Sequence, residues 1–122
     1  MFEPWEVGQI LDHKIHGSWA RESPSSPWRF EFLLHGIDHE VWSFRYCPAV
    51  RHPLTHIGRT TPDDIPYLQP EIALLYKAAR RRELDEEDFR RVLPRLSSGQ
   101  RAQLAADIMH CWPEHPWLDL LR

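Results

Sequence analysis

Tyr67-Leu68-Gln69-Pro70-Glu71-Ile72-Ala73-Leu74-Leu75-Tyr76-Lys77-Ala78-Ala79 marks a change of texture in the chain. Pro70 suits the first turn of a helix, because the N–H it lacks is one that the first turn leaves unpaired anyway. Ile72, Leu75, Tyr76 and Ala79 then recur at i, i+3, i+4 and i+7, which makes one apolar stripe. Residues 69–122 are rich in Leu, Ala, Arg and Glu and favour helices, whereas residues 1–68 are rich in aromatics, Pro and His and favour strands. This segregation predicts an α+β fold in one domain, 1–122. A small antiparallel or mixed sheet around a β-hairpin packs against three or four C-terminal helices.

Upstream, Trp28-Arg29-Phe30-Glu31-Phe32-Leu33-Leu34 alternates, which places Trp28, Phe30, Phe32 and Leu34 on one face, expected to meet the helices. Val41-Trp42-Ser43-Phe44-Arg45-Tyr46 is a second strand-like run, and the polar stretch 35–40 between them reads as the turn of a hairpin. A weaker strand is expected over 13–19 and a loop over 60–66. Downstream, Asp85 reads as the N-cap of a second helix with the stripe Phe89, Val92, Leu93 and Leu96, ended or bent by Pro94. Ser97 and Gln100 fit a capping box for a third helix, packed through Leu104, Ile108 and Cys111 and stopped by Pro113. Residues 117–121 add a last apolar turn.

Bulk properties narrow the function. A net charge of −3 gives no electrostatic ground for nucleic-acid binding. No apolar run approaches the roughly 20 residues of a membrane span, so no membrane partner is expected. Two cysteines and no signal-like N-terminus point to the cytoplasm.

Several segments, in order, carry a family likeness. Tyr67–Ala78 resembles a stretch typical of aminoglycoside and lincosamide nucleotidyltransferase-like proteins. Asp85-Glu86-Glu87-Asp88-Phe89, Val92–Leu96 and His115-Pro116-Trp117-Leu118 also match the pattern of that family. So do Trp28–Leu34, Trp42–Arg45 and Pro48–Leu54, so the likeness runs from about His16 onward. It implies nucleotidyl transfer, with Glu31 at the position of the third catalytic acidic residue and Lys77, Arg45, Asp85 and Asp88 in substrate or nucleotide binding.

The departures are as informative. Active members carry a Gly-Ser turn and an Asp-x-Asp strand that hold the nucleotide phosphates and Mg²⁺. Neither is recognisable here, since no Asp-x-Asp follows Gly17-Ser18, and Asp38-His39-Glu40 falls in a turn. Leu84 replaces the lysine before the acidic pair, Tyr46 an arginine, and Cys47 an aspartate. The resemblance therefore implies a nucleotidyltransferase-like fragment or remnant, inactive alone. It would hold no metal of its own, and Mg²⁺ only if a partner completes the site. The partner would be a second copy, as a homodimer, or a chain that supplies the missing N-terminal part. A binding or assembly module is the alternative function. A metal-dependent enzyme using the eight histidines is another, although no Cys or acidic cluster completes a ligand set around His13 and His16 or around His35 and His39.

Overall fold

The structure, a computed structural model, describes residues 17–33 and 37–122. Its helices and small antiparallel sheets make the fold α+β. The chain groups into two compact units, Met1–Gly36 and Ile37–Arg122.

In the first unit, β1 (Gly17–Ala20) pairs antiparallel with β2 (Phe30–Leu33), Trp19 facing Glu31 in the ladder. Ser26 N–H to Ser23 O (3.0 Å) and Arg29 N–H to Ala20 O (3.0 Å) close the connection. This corrects the expected hairpin. The run around Phe30 takes the upstream strand as its partner, not Val41–Tyr46. Ser23-Pro24-Ser25-Ser26-Pro27 is a turn that folds the chain back, which a short strand beside it can exploit at once. Trp28, expected on the face toward the helices, is exposed with the Arg21 guanidinium 4.1 Å from its ring. Leu34 and the side chains of Phe30 and Phe32 lie outside the description.

The second unit opens with β3 (Ile37–Asp38), β4 (Val41–Ser43) and β5 (Arg51–Pro53), with β4 central. His39 and Glu40 alone make the β3–β4 turn, with φ of 50° and 63°. Positive φ at both residues gives the twist that a two-residue hairpin needs, and histidine tolerates it better than most side chains. A short helix α1 (Leu54–Ile57) leads to a hairpin of β6 (Gly58–Thr60) and β7 (Pro66–Leu68), where a plain loop was expected. Thr61 closes it, its N–H donating to Ile65 O and its hydroxyl accepting from Ile65 N–H.

The helices follow: α2 (Pro70–Arg80), α3 (Glu83–Val92), a 3-10 turn (Leu93–Arg95), α4 (Ser98–Cys111) and α5 (Trp117–Leu120). Pro70 opens α2, and Pro94 turns the end of α3 into 3-10 geometry. Ser97 caps α4, its hydroxyl accepting from Gln100 N–H at 3.1 Å while the Gln100 side chain accepts from Ser97 N–H at 2.9 Å. The core joins Trp42 and Phe44 of the sheet region to Ile72, Leu74 and Leu75 of α2, Phe89 of α3, Leu104 and Ile108 of α4, and Trp117. Phe44 and Tyr76 meet edge to face at 5.1 Å. No helix among the described residues is long and apolar enough to cross a membrane.

Candidate functional site

Three of the candidate binding residues meet at the α2–α3 junction. Helix α2 ends on Arg81, left-handed at φ 53°, with its N–H on Lys77 O. One extended residue, Arg82, then starts α3. Asp85 is not the N-cap expected from the sequence but the third residue of α3. Its carboxylate reaches back to accept the Arg82 N–H at 3.0 Å and the Arg82 Nε at 3.0 Å. Glu83 and Leu84 are already helical, so the acidic side chain caps from inside the first turn, where the helix dipole also favours it. Lys77 extends from the last turn of α2 to Asp85 Oδ1 (3.7 Å) and Asp88 Oδ2 (2.8 Å).

Asp85 is fully buried, and the hydrogen bond from Arg82 holds its carboxyl below the ordinary carboxylate range against the opposing effect of burial. This arrangement can clasp two helices together. It cannot readily chelate a cation, because Arg82 and Lys77 already neutralise the oxygens. Asp85 and Asp88 therefore do not fit a resident Mg²⁺. Glu31 sits in β2, and its side chain lies outside the description.

Arg45 lies elsewhere. Its Nη2 donates to the Tyr46 hydroxyl at 2.7 Å, with the guanidinium carbon 4.7 Å from the ring centroid. Arg80, from the last turn of α2, also lies beside that hydroxyl. The hydrogen bond from Arg45 is the largest cause that brings the Tyr46 phenol below its usual value; burial opposes it, and Arg80 and the charge of both arginines add to the lowering. The only sign of Arg80 in the sequence was the run Arg80-Arg81-Arg82, which reads as a solvated helix junction.

Two histidine sites, His52 partly buried and His115 buried, were not legible in the sequence. His52 Nε2 and Asp107 Oδ2 are 2.7 Å apart, joining β5 to α4, and the His52 ring stacks on Trp42 at 6.0 Å and 11°. Burial raises the Asp107 carboxyl, with His52 opposing it. His115 accepts Trp117 N–H on Nδ1 (3.1 Å), so Nε2 carries the proton donated to Ala78 O (2.9 Å). Burial lowers its basicity. Beside it opens a shallow pocket of about 580 Å³ lined by α2 residues and the segment Cys111–Pro116. Among the described residues no group of three or more His, Cys, Asp or Glu could hold a metal ion; His13, His16 and His35 lie outside them. No family model, curated protein or solved structure matches the chain.

Proposed function

We propose that the chain is a nucleotidyltransferase-like module that transfers no nucleotide alone and contributes a phosphate-binding corner to a site completed by a partner chain or a second copy. The observation that carries this reading is the convergence of Arg45 and Arg80 on the Tyr46 hydroxyl. Neither arginine has a carboxylate partner among the described residues. Two guanidinium groups beside one oxygen repel each other, and an anion between them relieves that repulsion. Phosphate oxygens also match the fork of a guanidinium. The clasp of Lys77, Asp85 and Asp88 then has an architectural role: it fixes the end of α2, from which Arg80 projects. The carboxylates and Mg²⁺ that nucleotidyl transfer requires would come with the partner, and a two-fold homodimer is the simplest such assembly.

A thermal-shift titration with a nucleoside triphosphate tests the corner, in the wild type and in the Arg45→Gln/Arg80→Gln double variant. At a hundredfold excess over Kd, binding stabilises the wild type by about 2.7 kcal/mol, which the double variant should lose. A parallel assay with labelled nucleotide and aminoglycoside or lincosamide acceptors should show no transfer. Equal shifts in both proteins would refute the corner. Transfer by the chain alone, abolished in Glu31→Gln, would refute the module.

A further inference from the structure

Cys47 and Cys111 are the only cysteines of the chain. Cys47 sits in the tight turn after β4, where its N–H donates to Phe44 O (3.1 Å) and its carbonyl accepts from Val50 N–H (2.9 Å). Cys111 is the last residue of α4, a helix end held by Trp112 N–H on Ile108 O at 2.6 Å. The Phe44 and Trp112 rings meet edge to face at 6.1 Å and bring the turn and the helix end together. Both cysteines are free and only partly buried, and both pack against the same core cluster. Cys47 is itself partly exposed, which gives a small reagent access, and Cys111 lines the open pocket.

We infer that Cys47 and Cys111 are a redox modification site, closing a reversible intramolecular disulfide with a low-molecular-weight disulfide such as glutathione disulfide as oxidant. The Phe44–Trp112 contact and the shared core packing hold the turn of Cys47 and the helix end of Cys111 side by side, and a disulfide needs its two Cα atoms within about 7 Å. In the first step the Cys47 thiolate attacks one sulfur of the reagent, whose S–S bond breaks and releases one thiol. The Cys111 sulfur then gives its proton to solvent and attacks the Cys47 sulfur of the mixed disulfide, releasing the second thiol. The two protein thiols are oxidised by two electrons, and one reagent disulfide is reduced to two thiols. Cys47 leads because burial, contact with Cys47 and the charge of Asp107 push the Cys111 thiol up to about 12. Capping Cys47 as a mixed disulfide removes one of those causes. The bond ties the turn that carries Tyr46 to the end of α4.

The test uses the full chain in a glutathione redox buffer, followed by acid quench, intact mass and peptide mapping. The expected product is a monomer lighter by two hydrogens, with Cys47 and Cys111 cross-linked and no retained glutathione. Its Tm should rise by on the order of 10 °C and return to its starting value after reduction. Cys47→Ser and Cys111→Ser should each stop at a glutathione adduct or the free thiol. Persistent glutathione adducts on the wild type, disulfide-linked dimers, or a cross-link that forms only in denaturant would each overturn the inference.

Discussion

Trp117 offers the sharpest test of what the C-terminal motif His115-Pro116-Trp117-Leu118 does. Its side chain is 1% exposed, and its ring lies flat on Phe89, centroids 4.0 Å apart and planes 5° from parallel. Its indole N–H donates to Glu86 Oε2 at 2.9 Å, and the edge of the ring meets His115 at 5.2 Å. Truncating a buried tryptophan costs about 3–5 kcal/mol, and the stacked partner and lost hydrogen bond place Trp117→Ala at the upper end of that range. A domain of ordinary stability, about 5–15 kcal/mol, would be left marginal. Trp117→Phe keeps a ring on Phe89 but removes the N–H from a charged acceptor, at a cost of about 1.5–3 kcal/mol. Urea unfolding followed by far-ultraviolet circular dichroism measures both without depending on tryptophan emission. The indole N–H is also the main cause that holds the Glu86 carboxyl below its usual range, so Trp117→Phe should raise that carboxyl in an NMR titration. A loss under about 1 kcal/mol for Trp117→Ala would refute the architectural role of the motif.

Asp85→Asn removes the charge that Arg82 and Lys77 engage and should destabilise by about 1–2 kcal/mol near neutral pH, read by the same urea series. The Asp85 carboxyl is lowered from 3.8, so its contribution is present above that value and disappears as pH falls through the lower folded-state value; Asp85→Asn should flatten stability there. His115 has the opposite charge type, its folded-state value lowered from 6.5. The unfolded chain therefore takes up the proton first, and the stability linked to neutral His115 is complete above 6.5 and lost as pH falls below it. A pH series of Tm values should show that decline in the wild type and a shallower one in His115→Gln. With its thiol pushed up to about 12, Cys111 should resist iodoacetamide in the native reduced protein and label readily once unfolded, as counted by mass spectrometry.

Local signals gave the helical region and missed most long-range pairings. Pro70, the Ser97–Gln100 box, Pro94 and Pro113 act within a few residues, and each bounds an element where expected. Alternation in Trp28–Leu34 and the aromatic, β-branched run Val41–Tyr46 pointed to strands, found at Phe30–Leu33 and Val41–Ser43, but not to which strands they join. Partner choice was settled by the turns at Ser23–Pro27 and His39–Glu40, and a non-glycine pair with positive φ gives no strong signal in a sequence. Asp85 and Asp88 were legible as an acidic pair, yet their engagement by Lys77 depends on the left-handed bend at Arg81. His52 and Asp107, far apart in sequence, and the meeting of Arg45 with Arg80 come from tertiary packing that no spacing rule reports.

The Tyr46 phenol reports directly on an anion received at the corner of Arg45, Arg80 and Tyr46. Its ionisation is eased by the two guanidinium charges. An anion bound between them cancels part of that field and must raise the phenol pKa. Phenolate absorbance is titrated with inorganic phosphate present and absent at matched ionic strength, with Tyr46→Phe identifying the transition among the three tyrosines of the chain. The Tyr46 transition should shift upward with phosphate in the wild type and stay unmoved in the Arg45→Gln/Arg80→Gln variant. A Tyr46 transition unmoved by phosphate, or moved equally in that variant, would contradict an anion site at that corner.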